Sequence, residues 1–114
     1  MTITEAQQLV DRWITTTGGG YHDVLTNMAI LTEEVGEVAS VVARRYGCQR
    51  AKPGDLRDGD LDDELVDVLW VVLCLANQTG IDLEAALLAN LAKKATRDAH
   101  RFDESSNSPS ETNY

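Results

Sequence analysis

Two acidic clusters carry the chemistry that this chain of 114 residues offers first. One is Glu33-Glu34-Val35-Gly36-Glu37. On a helix that advances about 100° per residue, Glu34 and Glu37 fall on one strip with Ile30 and Val41, at the edge of an apolar face, while Glu33 lies further towards solvent. Gly36 costs about 1 kcal/mol relative to Ala inside a helix, and its missing side chain leaves room for another helix or a ligand. The other cluster is Glu64-Leu65-Val66-Asp67, followed by the apolar run Val68 to Ala76. Asp67 is therefore expected to be enclosed, and an enclosed carboxylate is costly unless it meets a cation. Glu64, one turn earlier, shares its face.

If the two clusters sit on antiparallel helices, Glu34, Glu37, Glu64 and Asp67 form an oxygen-only donor set. Such a set suits Mg²⁺, with Mn²⁺ as a substitute, the remaining positions going to water and substrate phosphates. A di-iron bundle needs Glu-x-x-His, and neither His22 nor His100 is so placed. A calcium loop fails as well: Asp58, Asp60 and Asp62 open with the right spacing, but Asp63 stands at its Gly position and Leu69 at its terminal Glu position. The ordinary alternatives are a solvated acidic face for the first cluster and a core carboxylate bonded to Arg or an amide for Asp67. A basic strip, Lys93, Arg97 and Arg101 with Lys94 and His100 beside it, holds four of the ten Lys and Arg. It reads either as surface charges paired with Asp98 or the acidic helices, or as a grip by Lys93 and Arg97 on phosphate oxygens.

These groups need helices to place them. Apolar spacing and the Thr2/Glu5 capping box predict a first helix over Ile3 to Ile14, and Gly18-Gly19-Gly20 breaks it in a flexible turn. Val24, Met28, Leu31, Val35, Val38 and Val42 recur at steps of four and three, predicting a second helix from Tyr21 to Tyr46. Residues 47–60, with Pro53, Gly54 and Gly59, read as a mobile loop. A third helix is expected over Leu61 to Gln78 and a fourth from Leu83 to about Phe102, with Asp82 as its cap. No strand pattern is visible, so the fold class is all-α: one helical domain over residues 1–103 and a disordered tail over 104–114. From Leu65 to Ala76 the third helix is apolar on every side except at Asp67, which calls for cover from a second copy in a homo-oligomer.

With 10 Lys and Arg against 19 Asp and Glu, the formal charge is −9. This disfavours a nucleic-acid or anionic-membrane partner. Two Cys are too few for a disulfide framework, no leader pattern opens the chain, and the longest apolar run falls short of the roughly 20 residues that span a bilayer. The expectation is a cytoplasmic protein that crosses no membrane.

The order Glu-Glu-x-x-Glu, Glu-x-x-Asp at the head of an apolar helix, then Lys-x-x-x-Arg in the last helix resembles the MazG family of nucleoside triphosphate pyrophosphohydrolases. The phrases Leu31-Thr32-Glu33-Glu34, Arg45-Tyr46-Gly47, Asp67-Val68-Leu69-Trp70 and Cys74-Leu75-Ala76-Asn77 are similar to its short single-domain bacterial members. The resemblance covers about residues 21–102. It implies a four-helix bundle completed by oligomerisation, as a dimer or as a tetramer of two dimers. It further implies cleavage of a (deoxy)nucleoside triphosphate to the monophosphate and pyrophosphate, in the service of cleaning the nucleotide pool. By the same likeness Glu34, Glu37, Glu64 and Asp67 hold Mg²⁺, Glu33 orients or deprotonates the attacking water, and Lys93 and Arg97 meet the triphosphate. Trp13, His22, Asn27 and Trp70 are candidates to stack on or bond to a base, and each is equally readable as core or turn. The competing functional reading is a non-catalytic helical oligomer that binds a metal–nucleotide complex.

Overall fold

A computed structural model describes residues 1–47 and 61–104, with side chains up to residue 99. Four helices and no strand form among the described residues: α1 Ile3–Thr16, α2 Val24–Tyr46, α3 Leu61–Thr79 and α4 Leu83–Glu104. The expected all-α architecture is present. The mobility expected of residues 48–60 and the disorder expected of the tail lie outside the described residues. The chain divides into two compact units, Met1–Leu83 and the residues from Glu84 onward. The first contains α1, α2, α3 and both acidic clusters.

α1 opens as its sequence predicts. Thr2 Oγ1 accepts from the Glu5 amide at 3.0 Å and Glu5 Oε1 accepts from the Thr2 amide at 3.0 Å, closing the capping box. These bonds hold the Glu5 carboxyl below its usual range. The helix then runs into a turn in which Gly20 donates to Ile14 O at 2.9 Å. Gly19 and Gly20 have φ of 79° and 102°, a region that side-chain-bearing residues avoid, which is why the turn is built of glycine.

α2 starts three residues later than its periodicity suggests. Asp23 accepts from the Thr26 amide at 2.7 Å and caps the helix, and a cap residue must leave helical backbone geometry. Tyr21 and His22 consequently remain outside the helix. The face that α2 turns towards α3 also differs from its strongest apolar stripe. Val41, the most deeply buried side chain at 2% exposure, lies on a strip with Asn27, Ile30 and Glu34. Val24, Met28, Val35 and Val42 are exposed within the single chain.

α3 is the central element and packs against both α1 and α2. Val10 and Ile14 of α1 close a core with Leu73 and Cys74, against which Ala6, Tyr21, Trp70 and Leu83 lean. Burial on α3 begins only at Val71. Leu65, Val66 and Leu69 remain 52%, 55% and 52% exposed, so α1 and α2 cover the C-terminal half of α3, and these three residues of its other half stay open among the described residues. A polar weld fixes α1 to the end of α3. Gln7 Nε2 donates to Asn77 Oδ1 (3.1 Å) and Ile81 O (2.9 Å), Asn77 Nδ2 donates to Gln7 O (3.0 Å) and the Tyr21 hydroxyl (3.1 Å), and that hydroxyl donates to Asp11 Oδ1 at 2.6 Å. The first amide of α4, Leu83, is capped by Gln7 Oε1 at 3.0 Å.

Candidate active site

Glu34 on α2 meets Glu64 and Asp67 on α3, each offering a carboxylate oxygen within 4.8 Å of the other two. Glu64 and Asp67 lie one turn apart, and Glu34 is on the strip of α2 that packs inward, so helix packing alone brings the three together. Burial raises the pKa of Glu34, and the charges of Asp67, Glu64, Glu33 and Glu37 raise it further. Among the described residues, each charge acting on it is an acid. No cation is among those charges, and three crowded oxygen donors make a set that could hold a hard metal ion.

Asp67 itself is exposed, not enclosed as its apolar neighbours suggest. Leu65, Val66 and Leu69 around it are open in the single chain, and the apolar run is covered only from Val71 onward. The demand for a cation thus arises from the crowding of three carboxylates rather than from the burial of one. Glu37, one turn beyond Glu34, and Glu33 beside it are exposed and outside the trio, though both add to the field at Glu34. Beside Gly36, a Cβ would meet no atom within 4 Å, so the room its missing side chain leaves is unfilled among the described residues.

A cavity of about 280 Å³ adjoins the acids. Its walls include Trp13, Trp70, His22 and Asn27, together with Glu34 and Asp67. The four residues considered as base contacts therefore line one hollow together with two of the carboxylates. Trp13 and Trp70 meet edge to face, centroids 5.5 Å apart and planes at 82°, an arrangement favoured by the ring quadrupoles. On the same lining, burial pushes the Cys74 thiol up, which leaves it a protonated packing group. Sequence reasoning misses two contributors. Tyr21, on the lining, falls inside the expected second helix, and Gln78, which accepts from Asn27 Nδ2 at 2.6 Å behind that lining residue, carries no signal beyond being a polar residue at the end of an apolar run.

In the second unit, Lys93 and Arg97 stand exposed one turn apart on α4 and line a shallow hollow with Ala92 and Thr96. Arg97 Nε contacts Asp98 Oδ1 at 3.3 Å, the surface pairing that the sequence offered as the ordinary alternative.

A family model of the MazG nucleotide pyrophosphohydrolase domain matches residues 22–102. The chain belongs to the MazG family. It is similar to YpjD of Bacillus subtilis strain 168, 42% identical over 101 residues that cover 89% of this chain and 90% of that one. Among solved structures, a crystal structure of Bacillus subtilis YpjD is 41% identical, with a TM-score of 0.73 over 85% of this chain and 96% of that chain. A Bacillus-conserved MazG protein, a nucleotide pyrophosphohydrolase, is 38% identical, with a TM-score of 0.67 over 82% of this chain and 88% of that chain. Membership makes this chain a hydrolase of phosphoric anhydrides in nucleotides, with a MazG helical fold and an acidic cluster able to hold metal. Among the described residues no single helix is long and apolar enough to cross a membrane.

Proposed function

We propose that this MazG chain hydrolyses (deoxy)nucleoside triphosphates between the α and β phosphates, releasing the monophosphate and pyrophosphate, and so clears unwanted triphosphates from the nucleotide pool. The observation that carries the reading is a single hollow whose lining holds both the rings of Trp13 and Trp70 and the carboxylates Glu34 and Asp67. That layout matches the two ends of a nucleotide, a flat base and a polyanion that needs a cation.

Trp13 and Trp70 supply ring faces and edges to a base. Glu34, Glu64 and Asp67, with Glu37 as the fourth carboxylate, would hold Mg²⁺ or Mn²⁺. Bound there, such an ion supplies neutralisation of the triphosphate and a water of lowered pKa. Glu33, exposed beside the trio, is the candidate to orient or deprotonate the attacking water. Lys93 and Arg97 would hold phosphate oxygens that the ion leaves free. No covalent intermediate is required, since positioning and charge stabilisation suffice for phosphoryl chemistry. We further propose one MazG domain over residues 1–103 that works in the cytoplasm as a dimer or a tetramer of two dimers, without nucleic-acid or membrane partners. The open half of α3 and the exposed stripe of α2 support the oligomer, because apolar faces of this kind call for cover.

The test is product analysis. Purified protein with Mg²⁺ and a panel of standard and modified triphosphates should release pyrophosphate. Orthophosphate as the product, or no release from any nucleotide, would falsify the proposal.

A further inference from the structure

Asn27 is a polar side chain buried to 5% exposure, and it lines the cavity with Trp13 and Trp70. Its amide is held in one direction by a relay that ends on a group unable to reverse. The His22 backbone carbonyl can only accept, so Gln78 must turn Nε2 towards it and donate. That points Gln78 Oε1 the other way, where it accepts from Asn27 Nδ2 at 2.6 Å. Swapping the Asn27 amide would set Oδ1 against Oε1 at that distance, two acceptors with no proton between them. Asn27 Oδ1 is left with no donor among the described residues. His22 also borders the cavity, but an imidazole changes tautomer and presents either a donor or an acceptor. Asn27 has no such freedom.

We infer that Asn27 Oδ1, locked as an acceptor through Gln78 and the His22 carbonyl, determines base specificity. It selects a base bearing an exocyclic amine, cytosine or adenine, over the matched base that bears a carbonyl there, uracil or hypoxanthine. The inference rests on reading the cavity as the nucleotide site. The aromatic rings cannot tell the members of each pair apart, because an amine and a carbonyl at the ring edge leave stacking almost unchanged. The hydrogen bond can. An amine donates to Oδ1, whereas a carbonyl faces it acceptor to acceptor and leaves both groups desolvated and unpaired.

The experiment compares kcat/KM for dCTP against dUTP and for dATP against dITP, with Mg²⁺ and pyrophosphate detection. In any pair that is turned over, the amine member should lead by about 10-fold or more, the scale of one unpaired buried acceptor. Asn27→Ala should bring that ratio down to about 3 or less, chiefly through KM, since only the difference in hydrogen bonding is lost. Gln78→Ala, which keeps Asn27 but lets its amide turn, should narrow the ratio as well. Each ratio is taken within one preparation, so a reduced folded fraction cancels from it. A carbonyl member that matches or outruns its partner, or a ratio unchanged in Asn27→Ala, overturns the inference while leaving the pyrophosphohydrolase reading intact. If no triphosphate is hydrolysed, that reading fails by itself, and binding of dCMP, dUMP, dAMP and dIMP, measured by quenching of tryptophan fluorescence, still decides. Tighter binding of the amine member supports the assignment, and equal, reversed or absent binding removes it.

Discussion

Glu34 on α2 and Asp67 on α3 bring carboxylate oxygens within 4.8 Å of one another while both border the cavity that holds Trp70. Two like charges are thus forced together by the packing of helices whose apolar residues have no stake in that repulsion. A divalent cation bound between them would relieve that repulsion.

The pKa of Glu34 lies above the usual carboxylate range through burial and four neighbouring acids. A raised pKa means that the group's contribution to stability is full below the ordinary carboxylate pKa and is lost as pH rises through the raised value. Cation-free protein at neutral pH therefore carries the penalty. Glu34→Gln should raise the melting temperature of the cation-free protein by a few degrees and abolish the upward shift that millimolar Mg²⁺ gives the native chain. Differential scanning fluorimetry with and without Mg²⁺ reads both, and a full Mg²⁺ shift in the variant would exclude Glu34 as a ligand.

Asp67→Ala and Glu37→Ala should each lower metal-dependent turnover by at least about 100-fold, the scale of losing one preorganised charge-stabilising group. Both side chains are exposed, so their removal leaves the helices formed. Far-UV circular dichroism should be unchanged. Full activity in either variant would remove that residue from the ligand set.

Tyr21 should titrate late. Burial, then its hydrogen bond to Asp11, pushes the phenol from 10.0 up to about 12. With the folded pKa above the unfolded one, the stabilisation is complete below about pH 10 and disappears as pH rises through about 12. Tyrosinate absorbance should show a late step that coincides with loss of helix signal, and Tyr21→Phe should lack that step. A native chain whose tyrosines all ionise near pH 10 without unfolding would contradict the polar weld between α1 and α3.

Leu65, Val66 and Leu69 should lie in an interface. Sedimentation should give at least twice the 12.5 kDa chain mass, and Val66→Lys with Leu69→Lys should shift the distribution towards single chains. A monomeric native protein would leave the open half of α3 unexplained.

Much of this architecture is legible from local rules. Thr2 and Glu5 announce the start of α1, and the glycine triplet announces its end. Glu64 and Asp67 at one-turn spacing announce a shared face. Tertiary packing settles the rest. Helical periodicity identifies Val24, Met28, Val35 and Val42 as the dominant stripe of α2, yet the strip of Asn27, Glu34 and Val41 faces α3, because periodicity ranks faces by hydrophobicity and is blind to which one a single chain covers. The expected enclosure of Asp67 fails for the same reason: apolar neighbours in sequence enclose a residue only when something packs over them. The Asn27–Gln78 pair joins residues 51 apart in sequence, and no local pattern encodes such a bond.

The cap at Asp23 acts as a gauge for the length of α2. Had the helix wound one turn further back, as its own periodicity invites, His22 would have committed its carbonyl oxygen to the helical ladder and Gln78 would have had nothing to anchor it. A carboxylate that merely starts a helix thereby sets the polarity of the Asn27 amide in its first turn, and the proposed choice between two nucleobases comes to depend on where winding begins.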